Sequence, residues 1–423
     1  MTRKEIPGCL ERALMPPSSP QLSPGQRVAW HRLRRGLSQE VLAGLVGRTA
    51  DWLGKVENDR APLDRLSVIS SLAEALGVPV IALIGDHAHH GHHEETDVHV
   101  AQIRSVLMDY RQISPVFPFA DNNGEQPDLR FLRDEAETVM GAYQASDYSR
   151  VFRGLPDLLA RAQTAVRVYE GEQRRRAGAL LALACQACAM ILTKVGESDL
   201  AWIATERGMK AAFDYGDLTL QGSLMRSGVH SLHSRGQHET AVALTGEAAA
   251  YLRREQGSRP TNARLLSVYG TLLLPGAVAA ARNGDRASAM EYLKEAERVA
   301  SRLGRDANHL WTAFGPTNVV LHRVTVAASL GDPRAVLELG VGVDTAALPR
   351  ERRVRHLFDV AGAFANVNEI PSAVERMLEA ERLAASHVHR HVMSHQIMGR
   401  MMRTKAGRRD RRLADLAHRM GMF

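Results

Sequence analysis

Apolar residues recur three and four positions apart along most of the chain, and runs alternating every second residue are scarce, so the pattern predicts helices throughout. Between Pro24 and Ile84 the helices are short. The first, QRVAWHRLRR, closes at Gly36, and Ser38 is a candidate N-cap for a second with Leu42, Ala43 and Val46 on its apolar stripe. Gly47 allows a sharp turn, Thr49 offers another capping hydroxyl, and Leu53 and Val56 anchor a third helix. Leu66, Ile69, Leu72, Ala73 and Leu76 mark a fourth, ended by Gly77, and Pro79 starts a short fifth. A tight turn between the second and third of five short helices predicts a helix-turn-helix arrangement over residues 24–84.

GDHAHHGHHEETD, residues 85–97, has no apolar face and is expected to be a linker. From Val98 to the C-terminus the chain reads as a series of helical hairpins rich in small apolar residues. Their turns are expected at Gly196, Gly236, Gly284, Gly331, Asn368 and Gly407, spaced by roughly 37 to 48 residues, the range of helical-hairpin repeats. Ala289, Leu293, Ala296 and Ala300 show the helical stripe of one unit. One hairpin cannot bury its stripe alone, so stacking into a solenoid with a concave inner face is expected for residues 98–423, with a non-repeating bundle as the alternative. The basic C-terminal run carries Leu413, Leu416 and Met420 and is expected to cap the stack.

With 423 residues and a formal charge of +7, the chain is long enough for two or three domains and is compatible with a polyanionic partner. Three cysteines are too few for a disulfide framework. Residues 1–23, rich in Pro and Ser towards their end, are expected to be a disordered arm. The first residues lack a signal-peptide core and no run of about 18 apolar residues is apparent, so a cytoplasmic protein without a membrane partner is expected.

GLSQEVLAGLVG at 36–47, VEND at 56–59 and LAEALGV at 72–78 resemble the lambda repressor and Cro type of helix-turn-helix, the xenobiotic-response-element (XRE) family. The hairpin series resembles tetratricopeptide repeats, with most aromatic and Pro signature positions missing. The combination resembles actinomycete regulators that join the two. An all-α protein is therefore expected, a five-helix lambda repressor-like DNA-binding domain followed by a tetratricopeptide-like solenoid.

The first resemblance implies roles position by position. Gln39 would contact phosphate and help seat the third helix. Thr49, Ala50, Asp51 and Lys55 occupy the places of base-reading and adjoining backbone contacts, and Asn58 lies near the phosphates. Arg32 and Glu57 match an ion pair joining the first helix to the third. Arg48 and Lys55, beside Arg27, Arg32, Arg34 and Arg35, form an expected positive rim for phosphates. Lys55 suits guanine O6 and N7, and Ala50 suits a thymine methyl. Asp51 has two readings, acceptor for a cytosine amino group or cap of its own helix. Trp52 is expected to pack, while Val41 and Leu45 are candidates for a docking stripe.

Other chemistry is sparse. His87, His89, His90, His92, His93 and His99, with Glu94 and Glu95, have metal-ligand chemistry, but a solvated linker lacks fixed geometry, and no metal site or cofactor is expected. Cys185 and Cys188 read as helix packing. The chain has no phosphate-cradling loop, HExxH or GxSxG motif, which argues against an enzyme. In HLWTAFGPTNVVLHRV, Trp311, Phe314 and Asn318 are candidate effector contacts; the competing reading is a packed helix start with Pro316 in its first turn. An FGPTN segment also belongs to the actinomycete resemblance. Taken together, the expected function is sequence-specific binding of double-stranded DNA by a homodimer whose repeats sense a peptide, small-molecule or protein effector. The alternative is a protein-interaction scaffold whose helix-turn-helix no longer binds DNA.

Overall fold

The computed structural model describes residues 23–58, 63, 66–76, 78, 83, 93–109, 126–257 and 262–422. Among these residues the regular structure is helical, apart from one antiparallel bridge between Ala307 and Phe314. The all-α expectation holds. Two compact units meet in sequence between His93 and Glu94. Most of the expected N-terminal arm, Cys9, the histidines at 87–92 and all of the expected fifth short helix except Leu83 lie outside the described residues.

The N-terminal unit contains α1 (Pro24–Arg34), α2 (Gln39–Leu45), α3 (Ala50–Glu57) and α4 (Leu66–Leu76). Each of the first three begins at a hydroxyl. Ser23 and Gln26 form a capping box at α1, while Ser38 and Thr49 accept the amides of Val41 and Trp52. Such caps satisfy amides that a helix leaves without partners, contributing roughly 1 kcal/mol each. Val28, Leu42, Leu53, Leu72, Leu76 and Leu83 close the core, with Trp52 packed at its edge.

The second unit opens with α5 (His93–Leu107), which starts inside the stretch expected to be linker; helix rather than linker occupies residues 93–97. Six hairpins follow. They pair α6 (Leu129–Gln144) with α7 (Tyr148–Val168), α8 (Gly171–Lys194) with α9 (Ser198–Asp214), and α10 (Leu218–Ser234) with α11 (His238–Gln256). The others pair α12 (Ala263–Arg282) with α13 (Arg286–Leu303), α14 (Pro316–Ser329) with α15 (Pro333–Gly340), and α16 (Arg350–Asn366) with α17 (Ile370–Arg390). Then come α18 (Val392–Arg403) and α19 (Arg411–Arg419), whose Leu413 and Leu416, with Met420 beyond it, are buried as a terminal cap.

Five of the expected turns fall inside hairpins. Gly196, Gly236, Gly284, Gly331 and Asn368 all have positive φ, which ends the first helix and reverses the chain. An aspartate then restarts it in two of them, where Asp285 and Asp332 accept the amides of Ser288 and Ala335. The turn before α7 is made by Ser146, at φ 61°, a position with no glycine to announce it. Gly407 also lies at a turn, between α18 and α19, but there it opens a short 3-10 turn, Gly407–Arg409, where a Cβ would stand 2.0 Å from the Met401 carbonyl.

The first helices of successive hairpins stack in order, α6 on α8, α8 on α10, and so on to α16, and α16 also contacts α6. The solenoid therefore closes into a ring of six inner helices. Lys194 of α8 pairs with Glu351 of α16, and Gln144 of α6 exchanges amide hydrogen bonds of 2.8 and 3.0 Å with Asn308. Small residues permit the close stacking. At Gly270 of α12, an added Cβ would lie 2.0 Å from the Phe314 ring.

One expectation changes here. The helices Gly171–Lys194 and Ala263–Arg282 are long and apolar enough to cross a membrane by length and composition alone. Most of each is buried inside the body, 72% and 83% of the apolar window, so helix packing accounts for their hydropathy.

Candidate nucleic-acid interface

The apolar side of α3 fixes which residues it offers outward. Leu53 and Val56 are buried, so Asp51 and Lys55 project from the opposite face, with Thr49 beside them and Ala50 half-buried. Gly47, at φ 65°, makes the turn that sets α3 against α2.

Beneath that surface lies one buried hub. Arg32 of α1 gives Glu57 of α3 two hydrogen bonds, from Nε at 2.6 Å and from Nη2 at 2.8 Å, and Nη1 donates to the Leu37 carbonyl at 2.8 Å. Gln39 of α2 completes it, its Nε2 donating to Glu57 Oε2 at 2.7 Å. Three helices are thus joined through one carboxylate. A parallel guanidinium–carboxylate fork adds direction as well as attraction, which is what a rigid mount for α3 requires. Gln39 accordingly seats α3 by binding Glu57. Sequence reasoning missed that link, although the Gln39 side chain also borders Gly54, where an added Cβ would stand 3.5 Å from its Oε1.

The outer face has its own pairing. Lys55 Nζ donates to Asp51 Oδ2 at 2.6 Å across one turn, with side chains 55% and 75% exposed. The cap of α3 is Thr49, leaving Asp51 free of that duty. An exposed pair of this kind contributes only about 0.2–1 kcal/mol, so a nucleic-acid base or phosphate can displace it. Asn58 closes α3, its Nδ2 donating to the Gly54 carbonyl at 2.7 Å.

The expected positive rim is smaller than the sequence implied. Arg27 and Arg32 are buried, each 8% exposed, which removes them from the surface. Arg34, Arg35, Arg48 and Lys55 remain exposed. Arg34 lies over the Trp30 ring at 4.5 Å, Arg48 near Trp52 at 5.6 Å, and Arg35 donates to the Ala75 carbonyl at 3.1 Å. Their stems are held while their charge faces water. Val41 and Leu45, 50% and 63% exposed, are apolar neighbours on α2.

The body segment singled out in the sequence divides. Phe314 is completely buried among α12 and α13 residues and wedges against Gly270, so it is a packing residue; the expectation of a direct effector contact there is corrected. Trp311 is partly buried, and its backbone carbonyl accepts from Gln144 at 3.1 Å. Asn318 is completely buried, yet its Oδ1 and Nδ2 have no hydrogen-bond partner among the described residues. Pro316 stands in the first turn of α14, as the packed-helix reading expects. Cys185 and Cys188 are buried free thiols pushed upward in pKa by that burial, Cys185 to about 12. Among the described residues no cluster of three or more metal-ligating side chains forms.

A family model described as a helix-turn-helix domain matches residues 25–83. The N-terminal unit carries a helix-turn-helix domain. Its match covers a minor part of the chain, and no curated protein matches the chain. Among solved structures the chain is similar to PlcR of Bacillus thuringiensis, in complex with the peptide PapR7 and DNA. Identity is 11%, covering 67% of this chain and 95% of that one, with a TM-score of 0.29. At that distance the likeness carries no argument about how this body is built or what it binds.

Proposed function

We propose that the chain is a sequence-specific regulator of transcription, with α3 lying in the DNA major groove. The observation that carries this reading is the exposed Thr49, Asp51 and Lys55 face, mounted on the buried Arg32–Glu57–Gln39 hub. In this reading Lys55 and Asp51 meet base edges, Ala50 approaches a thymine methyl, and Thr49, Arg48 and Asn58 meet backbone or neighbouring bases. The remaining amide capacity of Gln39 contacts a phosphate. Residues 24–84 are the DNA-binding domain and residues 98–423 the sensing and dimerising domain, tetratricopeptide-like in organisation. We place the protein in the cytoplasm, in the XRE class.

One recognition helix reads only a few base pairs, so a homodimer on two half-sites about one helical turn apart supplies the specificity. A peptide, small molecule or protein bound to the body would alter the spacing or freedom of the two reading heads. Fluorescence anisotropy against a salt series tests the interface. Duplex affinity should fall linearly on logarithmic axes, and Arg48→Ala should lower that slope by about one unit. A slope unaffected by Arg48→Ala would remove Arg48 from the contact. Light scattering at micromolar concentration, with and without duplex, tests the dimer; a monomeric mass in both contradicts it.

A scaffold that has lost DNA binding is the second reading, favoured by the exposed Val41 and Leu45 and by the Asp51 carboxylate beside Lys55. It requires that duplex retention be weak and indifferent to Lys55→Ala.

A further inference from the structure

Closing the solenoid encloses its inner face, and that face is polar. On α10 the residues Arg226, His230 and His233 recur at one helical stripe; on α14 the stripe is Asn318, His322 and Thr325; on α16 it is Arg352, Arg355 and Asp359. Lys194 of α8 and the imidazoles of His387 and His391, with rings 5.3 Å apart at the end of α17, join them.

These stripes converge across the ring. Arg352 acts electrostatically on Arg226 and His230 of α10 and on His322 of α14, while Lys194 and Arg355 act on His387 and His391. Burial, and then the nearby Arg352, pull the Arg226 guanidinium down to about 10. Four cations, Lys194, Arg226, Arg352 and Arg355, thus share the interior with two carboxylates among the described residues, Glu351 and Asp359. Both carboxylates have cationic neighbours, although Asp359 Oδ1 has no hydrogen-bond partner among the described residues. Glu351 holds Lys194, and Asp359 lies 3.6 Å from Arg355 Nε while accepting from Thr325 at 2.6 Å.

Unused hydrogen-bonding capacity lies in the same place. Arg226 is 3% exposed; its Nη1 sits 3.3 Å from His230 Nε2 and its Nη2 3.8 Å from the Met190 sulfur, yet its Nε has no partner among the described residues. Neither amide atom of the fully buried Asn318 has one. His322 uses Nδ1 on the Asn318 carbonyl at 2.9 Å. Leaving such groups unsatisfied in a low-dielectric interior is unfavourable, and so is a surplus of partly buried positive charge. An oxyanion answers both demands, because guanidinium forks match carboxylate and phosphate oxygens and an amide can serve beside them.

We propose that the closed interior of the body binds a small anionic ligand, its carboxylate or phosphate group held by Arg226, Arg352 and Arg355 beside the amide of Asn318. This names the chemical class of effector and rests on the reading of the body as the sensor. Its occupancy alters the spacing of the inner helices that carry the stripes.

Pyrophosphate and citrate serve as probes on the full-length chain at constant ionic strength, separating a phosphate source from a carboxylate one. Equilibrium dialysis should find one saturable site per chain for at least one probe, and that probe should raise the melting temperature by several degrees. Arg226→Gln should weaken binding at least tenfold. Asn318→Asp, which supplies a carboxylate to the interior, should abolish the shift while raising the anion-free melting temperature. The surface variant Arg302→Gln should behave as wild type. The absence of a saturable site for either probe overturns the proposal even if the variants fail to fold, as does an undiminished shift in Arg226→Gln and Asn318→Asp. Duplex binding measured separately without anion reports on the regulator reading, so either idea can fail alone.

Discussion

Arg32 and Glu57 form a buried two-point ion pair, with hydrogen bonds of 2.6 and 2.8 Å, that fastens α1 to α3 beneath the exposed face of α3. The geometry makes each partner more important as company for the other than as a source of net stability. Removing one leaves a desolvated charge behind, at a cost of about 3–5 kcal/mol, whereas replacing both with apolar residues of similar volume is often close to neutral.

Arg32→Met should therefore destabilise the N-terminal unit by about 3 kcal/mol or more, and the Arg32→Met, Glu57→Leu double variant should recover much of that loss. Hydrogen exchange of the α1 and α3 amides reads this unit separately from the body. Strictly additive losses would show that the two side chains act independently.

Gly270→Ala places a methyl group 2.0 Å from the Phe314 ring. Overpacking of this kind costs about 1–3 kcal/mol, and Phe314→Ala, which leaves a cavity, about 3–5 kcal/mol. Because the new methyl occupies space that the ring vacates, the double variant should be more stable than the sum of single losses implies. Urea unfolding of the four proteins tests it, and additivity would contradict the close contact.

Much of this body is legible in its turns. A residue able to adopt positive φ, followed in two cases by a capping aspartate, announces a hairpin whatever the rest of the protein does, so Gly196, Gly236, Gly284, Gly331 and Asn368 could be placed from local chemistry. Ser146 escaped because its left-handed backbone is held by surroundings rather than by residue type. The candidate interface divides the same way. Leu53 and Val56 determine by helical period that Asp51 and Lys55 face out, but the period does not say that these two pair. Phe314 interrupts a helical pattern beside Gly and Pro and reads as a loop aromatic; only the approach of Gly270, far away in sequence, makes it core. The inner stripes were missed for a related reason. Arg226, His230 and His233 look like a solvated helix face until contacts between α16 and α6 close the ring around them.

The interior also makes stability depend on pH. Burial lowers His322, His387 and His233 to about 3 and His391 to about 2, and holds His230 well below its ordinary 6.5. Arg226, Arg282, Arg352, Arg355 and Lys194, facing them from α10, α12, α16 and α8, reinforce the effect, with Glu351 opposing it at His322, His387 and His391. Below pH 6.5 the unfolded chain takes up protons that the folded interior refuses. Stability is therefore full above about pH 6.5 and falls as acid is added, by on the order of 1 kcal/mol per buried imidazole between pH 7.5 and 5.5. Urea midpoints across that interval should decline, and His322→Asn should reduce the slope. A midpoint independent of pH would mean that these imidazoles take up protons equally in both states.

In the proposed interface α3 reads bases through Lys55 on a mount built from Gln39, Arg32 and Glu57. Selection from a pool of random duplexes, sequenced over a salt series for the wild type, Lys55→Ala and Gln39→Ala, tests it most directly. A two-fold symmetric motif is expected in the wild type, relaxed at one position per half-site in Lys55→Ala, where a lost bidentate contact removes about 1–3 kcal/mol of discrimination, and weakened broadly in Gln39→Ala. Salt-sensitive retention with no enriched motif in the wild type, or the same motif at every position in Lys55→Ala, would contradict it.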